Sequence, residues 1–295
     1  MAPDDVATAS RFRFPAGRRA PSREPGGLLK RPSRRSVAGG LLGVAALPAV
    51  AAPSPGPEIG LDLAPTGRLR AAINYGNVVL ARRDASGALG GVSVDIAREL
   101  AGRLALPLDL VPFDTAGKVT ASAADDVWDV AFLAVDPVRA GQIAFTAPYV
   151  VIEGTYAVRD GSPLRTIEEF DREGIRIAVG RGSAYDLYLT RSLARATLVR
   201  ADTSEAAIRL FVAENLEAVA GVKQPLVAFA AGTPGYRVIP GRFTSIEQAM
   251  GVKRGRDLAA AYLGGFVEDL KASGFVAEAL VRHRQPDAVV APAAG

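Results

Sequence analysis

VWDVAFLAVDPVRAGQIAFTAPYV, residues 127–150, holds a nearly unbroken apolar run from Asp129 to Val135 that ends directly in Asp136-Pro137-Val138-Arg139. A run apolar on both faces reads as a strand of a parallel sheet covered by helices. Asp136 is a helix N-cap residue type and Pro137 suits the first helical position. Arg139 then falls in the first turn, beside free backbone N–H groups. A helix start and a guanidinium at the end of a buried strand make a place for an anion. The same spacing also allows an ordinary surface arginine in a salt bridge.

Outward from this stretch the pattern alternates between strand and helix. Leu69–Asn74 is a strand ending in Tyr75-Gly76-Asn77, and a helix begins at Ser93, with Ile96, Leu100 and Leu104 at helical spacing. Leu108–Phe113 and Val151–Val158 are further strands. After the break at Gly161-Ser162-Pro163 the alternation starts again. Thr166 and Glu169 form a capping box, and Asp202 with Glu205 caps a later helix. Ile175–Val179 runs into the glycine turn Gly180-Arg181-Gly182-Ser183, and Leu216–Gly221 into Val222-Lys223-Gln224-Pro225. Glu247–Val252 runs back as a strand. The expected fold class is α/β, one set of parallel strands and helices interrupted by a second. Ligands of such sheets sit beyond the strands' carboxyl ends. That description fits Asn74–Asn77, Val135–Arg139, Gly180–Tyr185 and Gly221–Gln224, two segments from each set. The site is then a cleft that closes.

The net charge of +4 is concentrated at one end. Residues 1–52 carry nine Lys/Arg and three Asp/Glu, leaving 26 basic and 28 acidic residues elsewhere, a net −2. The body therefore lacks the basic surface of a nucleic-acid binder. Without cysteine there is no disulfide, thiolate metal site or cysteine nucleophile. The one histidine, His283, reads as a surface residue in a last helical turn, which leaves no basis for a Ser-His-Asp triad or a histidine metal site. No cofactor or metal is expected. Lys30–Val37, KRPSRRSV, followed by AGGLLGVAALPAVAA, reads as a secretory signal of twin-arginine type, with Arg34-Arg35 as the pair and cleavage after Ala51. Residues 52–66 read as a Pro/Gly linker and 286–295 as a frayed tail.

LRAAIN, GALGGVSVDIARELAGRL, WDVAFLAVDPVRAGQIAFTAPYV, IRIAVGRGSAYDLYL and LEAVAGVKQPLVAFA occur in that order. Together they resemble the family 3 extracellular solute-binding proteins that serve polar amino-acid ABC importers, over about residues 67–283. Val92 and Ser93 depart from the family's usual glycine-phenylalanine context. The resemblance implies a two-lobed periplasmic-binding-protein fold of type II, each lobe a mostly parallel sheet flanked by helices. Residues 67–156 plus 250–285 would form the first lobe and 157–249 the second, with hinge strands near Gly154–Arg159 and Glu247–Val252. It implies no enzymatic activity, a periplasmic location, a monomer and a membrane permease as partner. A dehydratase-like enzyme and a ligand-sensing domain are the competing readings.

By position, the resemblance makes Arg139 the carboxylate-holding arginine and Ser183 and Ala184, with Tyr185 next to them, the second lobe's contacts. Asn74, Tyr75 and Leu133 fall at strand ends of the first lobe. The family's aromatic walls fall at Asn77 and Thr115, and its ammonium-binding aspartate at Gly221 or Val222, beside Lys223. Neither Gly221 nor Val222 can pair an ammonium, Lys223 has the wrong sign, and burying an ammonium unpaired costs several kcal/mol. The expected ligand is thus a small carboxylate or other organic anion more than a standard α-amino acid. In the alternative, Asp136 takes over the ammonium. In the remaining reading Asp136 is only a helix cap.

Overall fold

The apolar runs become strands because only a sheet sandwiched between helices buries both faces of such a segment. The computed structural model describes residues 56–295, so the expected signal segment lies outside the described residues. The first half of the chain forms α1 (Pro57–Leu63), β1 (Leu69–Asn74), a short hairpin of β2 (Arg82–Arg83) and β3 (Leu89–Gly90), α2 (Val92–Arg103), β4 (Leu108–Phe113), α3 (Ala116–Ala121), β5 (Val130–Ala134), α4 (Pro137–Ala140) and β6 (Ile143–Arg159). The second contains β7 (Arg176–Gly180), α5 (Ala184–Ser192), β8 (Thr197–Ala201), α6 (Ser204–Ala213), β9 (Ala218–Val222), α7 (Lys223–Gly232) and β10 (Tyr236–Val238). The chain then returns through β11 (Thr244–Lys253), α8 (Asp257–Ala272), α9 (Phe275–Arg282) and β12 (Val289–Val290).

Two parallel sets, β4-β1-β5 and β9-β7-β8, are joined by antiparallel β11 and β6 in the order β4-β1-β5-β11-β6-β9-β7-β8. The halves are lobes of one continuous sheet rather than two separate sheets, because β6 is 17 residues long and pairs with partners in both. Sequence reading starts this strand only at Val151. The structure carries it through Pro148, which sits where the β6–β11 register shifts and no ladder N–H is required.

All five residues of β5 are buried. Its start is pinned to β1 by Asp129, which is fully buried and accepts from Arg70 Nε at 3.0 Å, Arg70 Nη2 at 2.7 Å and the Arg70 backbone N–H at 2.9 Å. The α6 cap is Thr203 rather than Asp202: its hydroxyl accepts from Ala206 N–H at 3.0 Å. Thr166 and Glu169 do form their capping box, around a single 3-10 turn.

Both expected irregular ends differ in the structure. Within 52–66, Pro57–Leu63 is helical, with Leu63 fully buried and Asp62 accepting the Ala259 N–H at 2.8 Å. Proline at the first helical position and an apolar Leu63 outweigh the linker-like composition. Within 286–295, β12 pairs with β6 at Val150 and Val151, and Ala288 and Ala291 are buried. That edge of β6 offers open ladder groups, which the tail covers. His283 is not a free surface group: its Nε2 lies 2.8 Å from Asp95 Oδ2.

Candidate functional site

The carboxyl ends of β1, β5, β7 and β9 meet between the lobes, as the parallel topology requires. Two adjoining cavities open there. The smaller, about 50 Å³, is bounded by Asn74, Ala134, Arg139, Gly180 and Val222, one or more from each strand end, and by Gln248 of β11. The larger, about 510 Å³, shares Gly76, Asn77, Asp114, Tyr185, Ser204 and Val222 with it.

Asp136 caps α4, its carboxylate accepting from Val138 N–H at 2.8 Å, and Pro137 occupies the first helical position. This start directs Arg139 inward, where it is 1 % exposed. Its Nη1 donates to the Ala134 carbonyl at 2.9 Å and its Nη2 to the Gly182 carbonyl at 2.9 Å, across the lobes. Nε is buried without a partner. Among the described residues no carboxylate lies within ion-pairing distance of this guanidinium. Burial pulls its pKa down to about 10, the Asp136 charge opposing, so it remains cationic at neutral pH.

Facing it is the start of α5. Ser183 caps this helix, accepting from Asp186 N–H at 3.1 Å, while Asp186 accepts from Gly182 N–H at 2.8 Å. The N–H groups of Ala184 and Tyr185 in the first turn have no acceptor among the described residues. They and the positive end of the helix point toward the small cavity. The Tyr185 hydroxyl donates to Ser204 Oγ at 2.7 Å and closes the floor. Opposite, Thr115 caps α3 through Lys118 N–H, and Asn74 Oδ1 accepts from Gly76 N–H at 3.2 Å. The lobes touch backbone to backbone here: a Cβ on Gly182 would stand 2.9 Å from Gly117 Cα.

Of the residues singled out in the sequence, Arg139, Asn74, Asn77, Thr115, Ser183, Ala184, Tyr185 and Val222 line the small cavity, and Tyr75 lines the larger one. Three are placed elsewhere. Leu133 faces the core with Trp128 and Ile143, since alternate residues of β5 face opposite ways and Ala134 takes the cavity side. Asp136 has both oxygens engaged, the second by Arg191 Nη2 at 2.9 Å. It therefore serves as cap and inter-lobe ion pair, and it borders neither cavity. Lys223 turns toward the hinge, donating to Glu153 Oε2 at 2.8 Å.

Of the lining residues that the sequence did not single out, two carry polar groups without a full set of partners. Asp114, just past the end of β4, borders both cavities; Lys118 holds one oxygen at 2.6 Å and the other is buried without a partner. Its position at a strand's carboxyl end was the available signal. Gln248 is 5 % exposed, and its side chain makes no hydrogen bond among the described residues. A glutamine in an antiparallel return strand carries no local signal.

A sequence profile described as bacterial extracellular solute-binding proteins, family 3, matches residues 69–284. No curated protein sequence matches the chain. Solved structures that share its fold include these three. A P235GK mutant of ArgBP from T. maritima is 22 % identical, with TM-score 0.66, covering 77 % of this chain and 99 % of its own. A putative binding component of an ABC transporter from Wolinella succinogenes DSM 1740, complexed with lysine, is 21 % identical, with TM-score 0.65 and coverage of 73 % and 95 %. The ancestral amino acid-binding protein AncCDT-1, a precursor of cyclohexadienyl dehydratase, is 18 % identical, with TM-score 0.64 and coverage of 75 % and 97 %.

Proposed function

Because this chain belongs to the bacterial extracellular solute-binding proteins, family 3, we propose that it captures a small carboxylate-bearing solute between its lobes and delivers it to the membrane permease of an ABC importer. The observation that carries the ligand class is Arg139. A guanidinium 1 % exposed, lacking a carboxylate partner and with its Nε–H unpartnered, is costly unless an anion completes it. The Ala184 and Tyr185 N–H groups supply further donors to the same point. The ligand's carboxylate would draw both lobes together, so capture and closure are one event.

Export to the periplasm and action as a monomer belong to the same reading. Binding without turnover is favoured by the state of the acids and bases. Asp114 is the one acidic residue lining the small cavity, and Asp136 and Lys223 are ion-paired outside it. A second reading of the ligand rests on Asp114: its unpartnered oxygen favours an acid that also carries an N–H donor.

A thermal-shift screen of the full chain against amine-free acids, amino acids and neutral amides tests this. Stabilisation of about 2.7 kcal/mol is expected from an acid at a hundred times its dissociation constant. Stabilisation by neutral solutes only would overturn the reading, and consumption of a stabilising acid, followed by chromatography, would replace it with an enzymatic one.

A further inference from the structure

The two cavities differ tenfold in size, and that difference constrains the ligand. The space beside Arg139, about 50 Å³, is a tenth of its neighbour's and takes a carboxylate head more readily than a whole ligand. The remainder of any ligand held there must lie in the adjoining chamber of about 510 Å³, well within the roughly 300–1,000 Å³ of small-molecule pockets. The chamber's walls are mostly apolar. Ile208 of α6, Ala220 and Val222 of β9, and Pro225 and Leu226 at the start of α7 form the second lobe's side, and Val78 faces them from the first. Of its charged groups, Arg82, Arg83 and Glu205 are exposed, and Asp114, held on one oxygen by Lys118, lies where the chamber meets the small cavity. Where the family resemblance places an ammonium-binding aspartate, the chain has Gly221 and Val222. The strand end that would carry a charge thus opens into an apolar space.

We propose that this chamber binds the apolar body of a monocarboxylate, an alkyl or arylalkyl group several carbons long, whose head sits at Arg139. This rests on reading Arg139 and the α5 start as the carboxylate clamp, and it adds the class of solute. Short polar acids leave the chamber filled with water against apolar walls; an apolar body displaces that water.

The test is calorimetric titration of the full chain with straight-chain carboxylates from propionate to octanoate, and with their primary amides. Affinity for the acids is expected to rise about fourfold per added methylene, the effect of roughly 0.8 kcal/mol per buried methylene. Ile208→Trp, which narrows the chamber, and Ile208→Asn, which wets it on a half-buried helix face, are each expected to flatten that rise. A wild-type series that is flat or falls with length overturns the chamber assignment, as does a rise that persists in both variants. Amides that bind as tightly as acids, with the same increment, leave the chamber standing and overturn the carboxylate clamp instead.

Discussion

Arg139 Nη2 donates to the carbonyl oxygen of Gly182 at 2.9 Å, joining the helix start after β5 to the glycine turn after β7. One side chain therefore both ties the lobes and faces the cavity. Arg139→Met removes a buried charge that has no carboxylate partner, so the unliganded protein should lose little stability, as when buried ionic groups are replaced by apolar ones of similar size. Ligand affinity should fall by at least a hundredfold, about 3 kcal/mol. Urea unfolding and calorimetry of the same preparations separate the two effects. A variant that binds normally removes Arg139 from the site.

Closure should depend on the glycine pair as directly as on the arginine. Gly182 has φ +69°, and a Cβ there would sit 2.9 Å from Gly117 Cα in the opposite lobe. Gly182→Ala is expected to hold the lobes apart, raise the radius of gyration in small-angle scattering and weaken binding about tenfold. Gly174→Ala is the control: φ is +82°, but its Cβ would meet nothing within 4 Å, so it strains the backbone without touching the cleft. Equal scattering from both variants would contradict this role for Gly182.

The pH dependence of binding and of stability should have opposite signs in the alkaline range. Burial lowers the Arg139 pKa from its ordinary value to about 10. Above about 10 the folded protein releases this proton while the unfolded chain keeps it, so this group's contribution to stability rises as the pH climbs from about 10 toward the ordinary arginine range. Carboxylate affinity needs the protonated guanidinium and should decline over the same range, having been level near neutrality. Comparing wild type with Arg139→Met isolates the contribution, because other groups titrate identically in both. A wild-type affinity that stays level up to pH 11 would contradict it.

The carboxyl-terminal strand should contribute to stability well beyond a frayed tail. Removing residues 286–295 deletes the β12–β6 ladder, the burial of Ala288 and Ala291, and the bond from Lys271 Nζ to the Pro292 carbonyl at 2.7 Å. A loss of about 1–3 kcal/mol in urea unfolding is expected, the scale of a few net hydrogen bonds. No change in midpoint would show that the strand is not docked in solution.

The alternation of apolar runs made the α/β class and the succession of strands and helices legible, because burial on both faces leaves a continuous signature. The four strand ends that meet at the cavity followed from the same rule. Side-chain direction was less legible. Leu133 and Ala134 are neighbours on one strand, and only the register with β11 and β1 decides which faces the ligand. Asp136 reads equally well as a cap or as a ligand group, until Arg191, 55 residues later in the chain, takes its second oxygen. Distance in sequence also hid Gln248, which pairs with Ala134 of β5. The docked tail was missed because its partner, the edge of β6, exists only once the sheet has formed.

The central claim is that a ligand carboxylate completes Arg139 and the first turn of α5. Its most direct test is calorimetric titration of the full chain near neutral pH with one stabilising acid and the matching primary amide, equal in shape and lacking only the charge. The amide is expected to bind at least a hundredfold more weakly in the wild type and equally to the acid in Arg139→Met. Equal binding of acid and amide by the wild type would contradict the account.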